Sequence, residues 1–241
     1  MLISRRYKFI LLSNPKSGST TLREVLALAA DVAPETIYKD AEEEADVDFF
    51  KKSGLTFYPA YLFKKSIENI QDEESTLTWD DYYSFTTVRN PFVKMVSWYY
   101  ALRPDKNFNT VLDLSSIDTD SVFHHHFNDF IDHLATPEGE RLKLPDYNYF
   151  CTDWDTGEDI VDDVFKLEEI DNSFQDKFKE RIGLNVIKPL PKLNADFLPA
   201  NKSDIDNYKG DPYDLYNENS KQLVSEWYAA DIEKFNYEFG Q

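Results

Sequence analysis

Residues 7 to 26, YKFILLSNPKSGSTTLREVL, constrain the fold more than any other stretch of this chain. The run starts apolar and stops at a turn after a few residues. That length suits a buried strand and is too short for a helix. Small and turn-forming residues follow. Leu22, Val25, Leu26 and Ala29 then recur at helical spacing, so the chain leaves the turn as an amphipathic helix with one face on a core. Pro34 ends that helix or lies just beyond it. A buried strand, a tight loop and a covering helix are one unit of a layered α/β domain.

The same order returns along the chain. DDYYSFTTV is rich in aromatic and β-branched residues and reads as a strand. RNPFVKMVSWYYALR follows at once as a helix, with Asn90 as its cap and Pro91 in its first turn. VDDVFKLEEI predicts another strand, and DNSFQDKFKERIGL a helix stopped by Gly183. Helices are also predicted in GLTFYPAYLFKKSIENI (after a short extended piece), in FHHHFNDFIDHL, and in the closing stretch NENSKQLVSEWYAADIEKF. LPDYNYFCTDWDTGEDI reads as irregular, and residues 105 to 122 as polar and turn-like. Trp98, Tyr99 and Tyr100 read as core. Alternating strands and helices predict a largely parallel sheet flanked by helices, in one domain over residues 1 to 241.

Charge narrows the partners. Acidic residues number 45 against 26 basic ones, a net charge of -19. Such a chain repels nucleic acid and anionic membrane surfaces, so neither is an expected partner. Any anion it does bind needs locally concentrated cations. Cys151 is the only cysteine, so no intramolecular disulfide forms, and it reads as a buried thiol. KFILL is too short for a signal core, and no apolar run reaches the roughly 20 residues of a membrane span. A cytoplasmic protein is the expectation.

The loop after the first predicted strand is where chemistry first shows. A tight strand-to-helix turn gathers several backbone N–H groups, and the helix dipole adds positive potential there. Ser17, Gly18, Ser19, Thr20 and Thr21 let backbone approach closely and add hydroxyl donors. The nucleoside-triphosphate loop, G-x-x-x-x-G-K-[ST], carries its lysine after the last glycine and a hydroxyl for Mg²⁺. Here Lys16 precedes Gly18, so the loop departs from that motif. A second segment adds cationic weight. Arg89 ends a predicted strand, and Ser97 lies two turns into the helix that follows. A guanidinium and a hydroxyl at this spacing suit one phosphate.

Together NPKSGSTTLREVL and VRNPFVKMVSWYY resemble the two nucleotide segments of the sulfotransferases that use 3′-phosphoadenosine 5′-phosphosulfate (PAPS). VFKLEEI, LPANKS and WYAADIEKFNYEF resemble, more weakly, an acid-ended strand, a late Asn-x-Ser loop and the closing helix of the carbohydrate-type branch. The resemblance runs from about residue 8 to residue 239. It implies a three-layer, P-loop-like fold with a central parallel sheet. It also implies transfer of a sulfuryl group from PAPS to an acceptor hydroxyl or amine, without a metal.

Carried over residue by residue, the resemblance makes Lys16 the catalytic lysine beside the phosphate–sulfate bridge. Residues Ser17 to Thr21 become the 5′-phosphate loop, and Arg89 with Ser97 the 3′-phosphate seat. Lys202 is a candidate to close over the nucleotide. The catalytic base stays open. Several of the family's branches place a His or Glu between the two segments, whereas His124, His125, His126 and His133 all follow the second. Acids within residues 40 to 48 or 68 to 74 and Glu168, at a predicted strand end, are the other candidates. Two further readings compete: a P-loop kinase of small molecules, and a non-catalytic nucleotide-binding protein on the same fold.

Overall fold

The structure is a computed structural model, and it describes residues 2–4, 6–19, 21–22, 25–26, 59–69, 78–102, 127–183 and 211–240. Four strands occur among them: β1 (Leu2–Ser4), β2 (Phe9–Leu12), β3 (Tyr83–Val88) and β4 (Asp163–Lys166). The labelled helices are α1 (Ala60–Asn69), α2 (Pro91–Leu102), α3 (Phe127–Leu134), α4 (Tyr147–Cys151), α5 (Ile170–Ile182), α6 (Glu218–Trp227) and α7 (Ala229–Phe235). Residues 19, 21, 22, 25 and 26 are helical as well. The chain divides into two compact units, Met1–Arg89 with Tyr147–Leu193 and Asn90–Asp146 with Asn194–Gln241.

The first unit holds the sheet, in the order β1-β2-β3-β4. β2, β3 and β4 run parallel, with Leu12 opposite Thr86 and Val88 opposite Lys166. The α/β class and the mainly parallel sheet predicted from the sequence are therefore present. β1 was not anticipated. It pairs antiparallel with β2, Leu2 against Leu11, and forms one edge of the described sheet. Three residues are too few to show a periodic pattern, and Lys8 at φ 55° makes the turn that returns the chain.

All four residues of β2 and the last five of β3 are buried. Strands covered on both faces are expected to be continuously apolar, which FILL is. The core joins Phe9, Leu11, Phe85 and Phe165 of the sheet to Leu22, Val25 and Leu26 after the first loop, and to Ile170, Phe174 and Phe178 of α5. Positions 170, 174 and 178 are four apart, so α5 turns one face to the strands. Phe85 lies at the centre, its ring 5.7 Å from that of Phe174 and 5.5 Å from that of Phe178. Burying each such ring stabilises the fold by roughly 1.5–3 kcal/mol. Gly183 ends α5 at φ 71°, its N–H donating to the Lys179 carbonyl, as the sequence predicts.

Two expectations in this unit need correction. The strand before α5 ends at Lys166, and Glu168 sits in a 3₁₀ turn, Leu167–Glu169, instead of at a strand end. The segment read as irregular contains α4, with Tyr147, Phe150 and Cys151 buried. Cys151 is a buried free thiol, as expected. Its backbone carbonyl accepts from Ile160 N–H, which closes a short turn ahead of β4.

The second unit is helical among the described residues. Asn90 caps α2: its Oδ1 accepts from the Phe92 N–H at 3.1 Å, and its side-chain amide donates to the Glu238 carbonyl at 2.9 Å. Trp98, Tyr99 and Tyr100 are buried, as expected of core residues. Lys94 is also buried, donating to the Pro145 carbonyl with its ammonium 5.3 Å from the Tyr228 ring centre. The closing stretch is two helices, not one. Its chain breaks at Tyr228, whose φ of -116° and ψ of 26° leave the helical region. The buried Tyr228 hydroxyl donates to the Leu144 carbonyl at 2.6 Å, a tertiary bond that local sequence does not reveal.

Candidate functional site

The carboxyl ends of β2, β3 and β4 share one edge of the sheet, as their register requires. In open α/β sheets ligands bind outside that edge. Three segments leave it here: the loop from Ser13 to Gly18 after β2, Arg89 after β3, and Leu167 to Glu169 after β4.

The loop is tightly built. Ser17 N–H donates to the Asn14 carbonyl at 3.3 Å, and Leu22 N–H to the Gly18 carbonyl at 3.1 Å, which starts the helix. Lys16 has φ 62° and Gly18 φ 82°, whereas Ser17 between them is not left-handed. Alternating backbone handedness turns successive N–H groups into one concavity suited to an anion. Positive φ is costly for a lysine, so its occurrence here marks a conformation that the surroundings impose. At Gly18 a second constraint applies: a Cβ there would stand 2.5 Å from Leu167 Cδ1. The first residue after β4 therefore packs directly on the loop glycine.

β3 holds the loop from the side. Thr86 Oγ1 donates to the Leu12 carbonyl at 2.9 Å, and Thr87 Oγ1 to the Ser17 carbonyl at 2.6 Å. Arg89 Nη1 donates to the Lys16 carbonyl at 3.4 Å. Burial and then the nearby Arg89 guanidinium push the Lys16 ammonium down from 10.5 to about 8. Two cations thus share a partly buried place at the end of the sheet, within a protein of strong negative charge. A bound anion would relieve both effects. Ser17 is fully buried, and among the described residues its hydroxyl has no hydrogen-bond partner.

Of the residues singled out by sequence, Lys16, Ser17, Gly18, Ser19, Thr21 and Arg89 lie in the first unit, around this loop and strand end. Ser97 is on α2 in the second unit and is half-buried. Thr20 and Lys202 lie outside the described residues. Among the base candidates, Glu168 is exposed in the turn after β4, on the same sheet edge as the loop. His133 is in the last turn of α3, in the second unit. Glu68 is on α1, and its side chain is not described. Residues 40 to 48 and 70 to 74, and His124, His125 and His126, lie outside the described residues. Among the described residues no helix is long and apolar enough to cross a membrane.

Thr87 and Leu167 were not anticipated. Thr87 sits in a β-favouring run, where a threonine needs no special reason. Leu167 follows a strand and reads as ordinary core. What marks both is a partner 70 or more residues away, a relation that no local pattern carries.

A protein-family model described as the sulfotransferase family matches residues 1–238, so it covers both compact units and every residue singled out above. No curated protein and no solved structure matches the chain.

Proposed function

Because the chain belongs to the sulfotransferase family, and is thereby an enzyme of sulfuryl transfer, we propose that its donor is PAPS and that Lys16 is its catalytic lysine. The family generally uses PAPS, and the carbohydrate-type branch fits this family. The observation that carries the reading is the juxtaposition of Lys16 and Arg89 at the carboxyl edge of the sheet. PAPS is polyanionic at both ends, and an acidic protein must gather cations to bind it.

The proposed roles follow from where charge develops. In sulfuryl transfer the bond from sulfur to the bridging oxygen breaks as the acceptor oxygen attacks in line. Negative charge grows on the departing phosphate oxygen. An ammonium placed there stabilises the transition state more than the ground state, and one such group typically contributes about 10²–10³ in rate. The loop N–H groups with the hydroxyls of Ser19, Thr20 and Thr21 are assigned to the 5′-phosphate. Ser17 would contribute its backbone, since its hydroxyl is buried. Arg89, and by its spacing in sequence Ser97, are assigned to the 3′-phosphate, with Lys202 closing over the nucleotide. The acceptor is assigned as a hydroxyl on a carbohydrate, lipid or small molecule, and the sulfotransferase domain as residues 1 to 241. The reading includes no metal, as the resemblance implies, and this fits a loop that departs from the Gly-Lys-Ser/Thr motif.

Labelled PAPS and an acceptor panel test this. Transfer should fall about 10²–10³-fold in Lys16→Ala while affinity for the product 3′-phosphoadenosine 5′-phosphate (PAP) changes little. Unchanged turnover in Lys16→Ala would remove the lysine from the chemistry.

A further inference from the structure

The first loop owes its shape to β3 as much as to its own residues. Thr87 is fully buried, and its hydroxyl spends its donor on the Ser17 carbonyl at 2.6 Å, across 70 positions of sequence. The peptide between Ser17 and Gly18 is planar and trans, so its C=O and N–H point in opposite directions. A carbonyl drawn toward Thr87 therefore turns the Gly18 N–H away from β3. Gly18 begins the turn into the helix, where N–H groups collect for an anion. Leu167, packed where a Cβ of Gly18 would go, confines the same peptide from the turn after β4.

We propose that Thr87 is a positioning residue for sulfuryl transfer: its hydroxyl locks the Ser17–Gly18 peptide so that the Gly18 N–H faces the donor's phosphosulfate. Thr87 does not touch the donor; it acts through the loop. The neighbouring Thr86, whose hydroxyl bonds the Leu12 carbonyl at the end of β2, secures only the base of the loop. This inference rests on the PAPS reading above.

Thr87→Val keeps the shape and removes the donor, and Thr87→Ser keeps the donor. Losing one buried hydrogen bond to the loop should weaken PAP binding about tenfold in Thr87→Val and lower kcat/KM for PAPS by a like factor. Thr87→Ser should restore both, even though it loses a methyl group and some thermal stability. If Thr87→Val lowers Tm but binds PAP as the parent does, the residue is merely structural and the proposal is overturned. Should Thr87→Val fail to fold, the parent protein decides. Its Gly18 amide proton should shift downfield as PAP is added, and PAP binding without that shift overturns the proposal. A parent protein that binds no PAP at all would instead overturn the donor reading beneath it.

Discussion

Arg89 donates a hydrogen bond to the carbonyl of Lys16, whose affinity for its proton is lowered by burial and then by that same guanidinium. One residue thus bonds the loop after β2 and adds to the effect of burial on its lysine. Burial and then Arg89 bring the lysine down to about 8 in the free protein.

For catalysis, Lys16 is charged below about pH 8. The ratio kcat/KM for PAPS reports the free enzyme, so it should be level below that pH and fall about tenfold per unit above it. A bound polyanion stabilises the ammonium, so kcat should hold its plateau to higher pH. Lys16→Arg, which stays charged, should erase the fall near pH 8 even if its rate is low.

For stability, the folded value lies below the unfolded one, so the unfolded chain binds the extra proton between about pH 8 and 10.5. Stability should therefore rise with pH across that window. Lys16→Met relieves the cost of a half-buried charge. It should stabilise the free protein at pH 7 by roughly 1–2 kcal/mol, and the gain should vanish above pH 10.5. Urea denaturation at both pH values measures this.

Gly18 and Leu167 should behave as a coupled pair. Gly18→Ala meets positive φ and a Leu167 methyl carbon at 2.5 Å, so it should destabilise by about 1–3 kcal/mol. In Gly18→Ala/Leu167→Ala the clash is gone and the φ strain remains. The double variant should lose about 1 kcal/mol less than the two single losses added. Strict additivity in a denaturation cycle would mean that Leu167 does not confine the loop.

These relations show where local sequence stops being informative. The loop, the arginine at a strand end, the Asn90 cap and the Gly183 stop were readable because each is written in neighbouring residues. The support of the loop was not. Thr87 and Leu167 are chosen by partners in the loop after β2, far away in sequence, and neither side chain is unusual for its place. β1 escaped notice because three residues cannot establish a period. The break at Tyr228 was hidden because Leu223, Val224 and Trp227 continue a helical face up to it, while the Tyr228 hydroxyl finds its partner at the distant Leu144 carbonyl.

Asn90 tests the second unit. Asn90→Ala leaves the Phe92 N–H uncapped and removes the donor to the Glu238 carbonyl, both at a buried site. It should cost about 1–2 kcal/mol in denaturant unfolding. Asn90→Asp keeps the cap but sets a carboxylate against a carbonyl, so it should not recover the full loss.

The most direct test of the central claim is a metal-free calorimetric titration with PAP and, in parallel, with AMP, which lacks the 3′-phosphate. The parent protein should bind PAP at a single site at least about tenfold more tightly than AMP. Arg89→Ala should abolish that preference. No PAP binding, or a preference for PAP that survives in Arg89→Ala, would contradict the assignment of this sheet edge as the donor site.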